Sequence, residues 1–309
     1  MRWTLFAVLA GFVATVACSP GARQSPGGDD DDDNGGGDGG GMGSNGSDCS
    51  DAAKLIYVVD KNNHLAQFNP MTKAFTTLGT VSCPSSGSPF SMAVDRNAQA
   101  YILFDDDKIY KVDTTQTSLP CTKTSWSSQD GLDEFGMGYS TDTMGGSTDT
   151  LFIAGGADLD GESDPDPAML ATLDTSSMSA KVVGSINGRP ELTGNANAEL
   201  WGWFPDVDGS STPLVEQIDK TTGMAVAANT YQESSLDDGE EPVAWAFGFY
   251  GGDYWVFLEL QSDSPEQSTV YQVAGPTSAT PGMIVSKTPA TGLEIVGAGV
   301  STCAPTMIF

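Results

Sequence analysis

Positive charge is what this chain has least of. Thirteen Lys and Arg residues stand against 41 Asp and Glu, a formal net charge of −28 over 309 residues. A nucleic-acid binder neutralises phosphates with basic footprints, and this chain has none, so nucleic acid is excluded as a partner. Histidine is nearly absent as well. His64 is the single one, in the turn-like stretch Lys61-Asn62-Asn63-His64, where it faces solvent. A Ser-His-Asp triad needs its imidazole deep in a pocket with an acid behind it. Neither G-x-S-x-G, H-E-x-x-H nor a P-loop occurs, which removes the common hydrolase, metalloprotease and nucleotide signatures. No C-x-x-C pair is present, so a zinc or redox site is not expected.

A long apolar run is also missing. The stretch from Trp3 to Ala17 is apolar but too short to span a bilayer and stay there, and Arg2 precedes it, as in a cleaved targeting segment. It stops at Thr15-Val16-Ala17-Cys18, where the composition turns polar. Val16, Ala17 and Cys18 resemble a bacterial lipoprotein signal, in which the cysteine after a small residue is lipidated and becomes the mature N-terminus. Thr15 stands where leucine is usual. The resemblance implies a signal peptide over residues 1–17, a lipid on Cys18 and a membrane partner held through that anchor. Ser19, rather than an aspartate, follows the cysteine, which implies the outer membrane or cell surface. Residues 18–48 then form a tether of Gly, Ser, Pro and the run Asp29–Asp33. Such a segment buries too little to offset its ordering entropy and swells by self-repulsion.

From residue 49 to 309 the chain repeats itself. The stretch Phe90 to Asp113 carries three short apolar runs separated by Asp95-Arg96-Asn97 and Asp105–Asp107, three strands of an antiparallel meander. Five such hairpins end alike, at Leu65–Asn69, Ile109–Asp113, Leu170–Asp174, Leu214–Asp219 and, in degenerate form, Val270–Val273. The closing Asn69, Asp113, Asp174 and Asp219 are 44, 61 and 45 residues apart; the long interval holds the insertion Gly155–Pro167. This period suits four-stranded propeller blades. The Asn or Asp at each ending predicts a turn in which the short side chain accepts hydrogen bonds from backbone two residues on.

Strands of small and apolar residues lead the hairpins, at Ser91–Val94, Gly136–Tyr139, Leu192–Asn195 and Ala244–Phe249. Small residues fit where strands crowd around an axis. The first hairpin has no leading strand and the last strand, Leu293–Val300, has no following hairpin. The C-terminus is therefore expected to supply the innermost strand of blade one and close the ring, removing exposed edges. The expected fold is an all-β propeller of about five blades, or six if the long interval hides another. The even set Cys49, Cys83, Cys121 and Cys303 points to disulfides in an exported protein, with three connectivities open. Position favours Cys49 with Cys303, flanking the closure, and Cys83 with Cys121, each after a fourth strand.

Candidate chemistry is sparse. Asp158, Asp160, Asp164 and Asp166 alternate around Gly161 like the start of a Ca²⁺ loop. Pro165 and Pro167 follow, and Met169 occupies the position where a glutamate would close it. Asp206-Val207-Asp208-Gly209 is a shorter echo. Acidic surface turns are the favoured reading of both stretches, with a weak Ca²⁺ site as the alternative. Asn195, Asn197 and Glu199, after the third leading strand, are the clustered polar residues nearest the expected channel. The aromatics Trp201, Trp203 and Phe204, and Trp245, Phe247 and Phe249 on one strand face, suit packing between blades and, less directly, a carbohydrate platform.

The stretches Glu191–Gly194, Trp201–Phe204, Ile218–Gly223, Trp245–Phe247 with Gly251–Asp253, and Ile295–Pro305 resemble an uncharacterised family of bacterial propeller-like surface lipoproteins. That resemblance implies location and fold and carries no activity. The resulting expectation is a lipid-anchored, non-enzymatic binding or scaffolding module for a protein, glycan or small ligand. One alternative is a Ca²⁺-dependent hydrolase or lyase with its metal in the channel. A purely structural surface component is the other.

Overall fold

Each apolar run of the repeat forms a strand in the computed structural model, which describes residues 49–156, 168–205, 212–233, 236 and 239–308. Contacts divide the chain into two units, Met1–Gly40 and Gly41–Phe309, and every described residue belongs to the second. The signal peptide, Cys18 and the tether of the sequence reading lie outside the described residues, as do Asp158, Asp160, Asp164, Asp166, Asp206 and Asp208.

Twenty strands are present among the described residues. In chain order they are β1 (Ile56–Asp60), β2 (His64–Asn69) and β3 (Ala74–Thr80), then β4 (Pro89–Val94), β5 (Gln99–Phe104), β6 (Lys108–Asp113) and β7 (Cys121–Lys123). The middle of the chain supplies β8 (Glu134–Thr141), β9 (Asp149–Gly156), β10 (Met169–Asp174) and β11 (Ser179–Ser185). Next come β12 (Glu191–Gly194), β13 (Leu200–Phe204), β14 (Leu214–Ile218) and β15 (Ala225–Gln232). The last set is β16 (Pro242–Tyr250), β17 (Asp253–Leu260), β18 (Thr269–Val273), β19 (Ile284–Pro289) and β20 (Ile295–Val300). They form five four-stranded antiparallel sheets, so the propeller has five blades and the sixth is not needed. Four blades are plain meanders, β4 to β7, β8 to β11, β12 to β15 and β16 to β19. The first is ordered β20-β1-β2-β3, because β20 pairs with β1 from Ile56 opposite Val300 to Asp60 opposite Ile295. The C-terminal strand closes the ring, as the unpaired first hairpin required.

The burial pattern repeats with the blades. Third strands β2, β6, β10, β14 and β18 all bury their second, third and fifth residues. The fourth strands β3, β11 and β15 have no buried residue, as befits the outer rim of a ring. Alternate residues of a strand face opposite sides, so each blade packs against two neighbours. Val58 joins the core between blades five and one, while the next residue, Val59, joins the core between blades one and two. Five separate apolar clusters result, one at each blade-to-blade interface. The aromatics of the sequence reading sit here: Trp201, Trp203, Phe247 and Tyr254 are fully buried between blades four and five.

The inner strands approach too closely for ordinary side chains at several points. A Cβ on Gly136 of β8 would lie 2.2 Å from the carbonyl oxygen of Pro190, and one on Gly194 of β12 would lie 2.4 Å from that of Tyr139. Asx turns close the third strands as expected. Oδ1 of Asn69 accepts from Met71 N, and Oδ1 of Asp113, Asp174 and Asp219 accepts from Thr115, Ser176 and Thr221 N, at 2.7–3.0 Å. Hydrogen bonds from Ser176 hold the Asp174 carboxyl at about 2. Both expected disulfides are present, Cys49–Cys303 and Cys83–Cys121.

Candidate functional site

The innermost strands β4, β8, β12, β16 and β20 have an edge that no fifth strand covers, so their inward backbone groups need partners inside the ring. Hydroxyls supply two of them. Ser91 Oγ on β4 accepts from Met137 N on β8 at 3.2 Å, and Thr193 Oγ1 on β12 accepts from Phe249 N on β16 at 3.1 Å. Ser91 then donates onward to Glu191 Oε2 on β12 at 2.9 Å. That bond joins blade two to blade four past blade three. The Glu191 carboxyl is thereby held inside the ring, on a residue 3% exposed. Burial pushes the Glu191 carboxyl well above the usual carboxylate range, and the bond from Ser91 opposes the rise only in part. An acid so placed is held protonated more readily than any in water.

Glu191 is also part of the wall of a cavity of about 420 Å³ at the end of the ring where the inner strands begin. Phe90, Phe204 and Trp245 supply apolar walls, and Glu134, Arg189 and Glu241 stand with Glu191 as its charged groups. Arg189 Nη2 comes within 3.0 Å of where a Cβ on Gly156 would be, at the blade-three rim. Trp245 continues the strand face of Phe247 and Phe249, but it is only half-buried because it reaches this cavity. A preformed, largely apolar cavity with a few placed polar groups is the usual form of a small-ligand site.

The opposite end is filled by the protein itself. Arg96 Nε, in the β4–β5 turn, donates to Asp149 Oδ2 at 2.9 Å, and Thr302 Oγ1 donates to the same oxygen at 2.6 Å. Arg96 Nη2 also donates to Gly146 O at 2.8 Å. Ser301–Ala304, including the disulfide cysteine Cys303, are buried there. Asn195, Asn197 and Glu199 belong to this end, in the β12–β13 turn. Asn195 Nδ2 donates to Glu199 Oε2 at 2.6 Å, as does Trp201 Nε1 at 3.2 Å. Asn195 Oδ1 accepts from Asn197 N and Glu199 N. These polar atoms build a turn rather than a set of oxygens converging on the axis. Lys220 lies near them, donating to Thr141 O at 2.7 Å, and burial pulls its ammonium downward.

His64 opens β2, partly exposed, with Nδ1 2.8 Å from Oδ2 of the buried Asp60. The acid behind the ring is more than the turn reading anticipated. Asp60 Oδ1 also accepts from Asn62 N and His64 N, so it serves the β1–β2 turn as well. No group of three or more His, Cys, Asp or Glu side chains able to hold a metal occurs among the described residues.

Sequence reasoning missed Glu191 as a site residue. The available signal was a charged residue opening a strand otherwise made of small and apolar residues, directly after Gly188-Arg189-Pro190.

No family model matches this chain, and no curated protein matches it. Three similar solved structures are distant. A protein of unknown function from Bacteroides caccae is 10% identical with a TM-score of 0.43, covering 79% of this chain and 97% of its own. TolB from Acinetobacter baumannii is 12% identical with a TM-score of 0.45, covering 82% and 68%. A catalytically inactive virginiamycin B lyase from Staphylococcus aureus, solved with quinupristin, is 9% identical with a TM-score of 0.38, covering 80% and 74%. At these values none bears on what this chain does, and the propeller assignment rests on the chain's own five sheets.

Proposed function

We propose that the ring is a non-enzymatic binding module that takes its ligand at the mouth where the inner strands begin. The supporting observation is the cavity of about 420 Å³ at that end, set against an opposite end occupied by Arg96, Asp149 and the C-terminal segment. In the same reading the chain is exported, lipidated on Cys18 and tethered by residues 18–48 at the bacterial outer membrane or cell surface.

Two experiments test the two halves. In an NMR screen of small fragments, binding is expected to shift the amides of Phe90, Glu134, Arg189 and Trp245. Shifts confined to Asn195, Lys220 and their neighbours would place the site at the wrong end. For the anchor, Cys18→Ala is expected to move the chain from the membrane fraction to the soluble one. A variant that stays with the membrane and still incorporates a fatty-acid label would sink the lipidation of Cys18.

A further inference from the structure

We infer that the mouth cavity takes an organic cation, an ammonium group carried on an apolar frame, with Glu191 as its counter-ion. This names the ligand class for the mouth site and rests on the reading that the mouth is where ligand binds. A carboxyl that is 3% exposed and bonded to one neutral hydroxyl, Ser91 Oγ, is costly to keep ionised. A cation entering beside it supplies the missing charge where the dielectric is low and the attraction correspondingly strong. The remaining wall suits the rest of such a ligand. Trp245, Phe90 and Phe204 offer ring faces and edges, and aromatic faces attract ammonium groups. Among the described residues of the wall, Glu134 and Glu241 bring negative charge and Arg189 positive. The chain's net charge of −28 raises the local concentration of cations around it. An anionic ligand would find Arg189 alone in its favour, against the negative charge of Glu134 and Glu241.

The assignment carries a proton signature. Burial raises the free carboxyl of Glu191, so a cation that binds the ionised form must displace a proton at any pH below that raised value. Affinity therefore climbs as pH rises, then levels once the free carboxyl is itself ionised. Among the described residues the other charged groups sharing the cavity are Glu134 on β8, Arg189 before β12 and Glu241 before β16; β4 and β13 bring none. The same shift sets the sign for stability. The unfolded carboxyl ionises first, so Glu191 costs nothing at low pH and increasingly destabilises the fold as pH rises from about 4.3 towards its folded value. Glu191→Gln removes that slope while its amide oxygen can still accept from Ser91.

The test is calorimetric titration of the full 309-residue chain with 2-phenylethylammonium and its neutral counterpart 2-phenylethanol. It is run from about pH 5 to 8 in buffers of different ionisation heat. The ammonium is expected to bind at least about tenfold more tightly than the alcohol near neutral pH, with proton release that fades as pH rises. Glu191→Gln is expected to erase that preference and the proton release while melting no lower than wild type at neutral pH, so lost binding is not unfolding. Glu241→Gln, at an exposed position, is expected to weaken the ammonium by about twofold only. Equal binding of both probes, unchanged in Glu191→Gln, would overturn the cation assignment and leave the mouth reading standing. No saturable heat from either probe would also overturn it, and the fragment mapping on the same sample would show whether the mouth reading falls too.

Discussion

Replacing both Cys49 and Cys303 with serine is expected to destabilise the propeller by up to about 5 kcal/mol. The two residues are 254 apart in sequence and joined by a disulfide. Cross-linking them removes from the unfolded chain most of the freedom it would have to separate its ends. The loop-entropy model gives about 4 kcal/mol for the 38-residue separation of Cys83 and Cys121, so the closing bridge should matter more. The bridge also guards the only blade built from both ends of the domain. If β20 leaves β1, both strands expose edges that can pair with another chain. Urea denaturation under non-reducing conditions would show the midpoint falling for the Cys49/Cys303 variant, with more aggregation than for the Cys83/Cys121 variant. Equal midpoints for the Cys49/Cys303 variant and wild type would mean that the β1–β20 ladder and the Arg96–Asp149–Thr302 network hold the closure unaided.

Gly136→Ala is expected to cost about 3 kcal/mol, the upper end of the usual overpacking penalty. The added methyl would stand 2.2 Å from Pro190 O and 2.7 Å from Glu191 Cα, both backbone atoms that cannot rotate away. β8 and β12 must therefore part, and the ring has no spare circumference to absorb the shift. Because Glu191 opens β12, the same movement should lengthen its bond to Ser91 and weaken ligand binding at the mouth. Gly131→Ala is the control. Gly131 has φ +75° with open space around it, so it carries only the left-handed backbone cost of about 1 kcal/mol. Denaturation midpoints of the two variants separate the effects. A Gly136→Ala protein no less stable than Gly131→Ala would refute close strand approach as the reason for glycine there.

Much of the architecture was legible because it is local or repetitive. An Asn or Asp at the end of a strand makes its turn whatever surrounds it, so Asn69, Asp113, Asp174 and Asp219 marked four blades directly. A hairpin without a leading strand and a strand without a hairpin imply each other, which is why closure by Ile295–Val300 could be read from composition. Position favoured the right cysteine pairs, although Cys121 opens the fourth strand of its blade, β7, rather than following it.

The polar residues near the axis were another matter. Asn195, Asn197 and Glu199 are close in sequence, and closeness in sequence favours a turn that satisfies itself, which is what they form. Glu191 has its partner 100 residues away on a non-adjacent blade, Ser91. No local pattern encodes that distance; it depends on the circumference of five inner strands and on how near Gly136 lets β8 come to β12. The same holds for which end of the ring carries the cavity. Strand order and turn chemistry treat both ends alike, and only the folded chain brings Arg96, Asp149 and Thr302 together at one end and leaves Glu191 beside a cavity at the other. Strands, turns and the repeat of blades were thus set by sequence alone, through short-range periodicity and turn chemistry, while the choice of five blades over six and the cysteine pairing became definite only in the folded ring. The cavity proposed as the binding mouth was decided by tertiary structure, because burial of a carboxyl is a property of the whole ring.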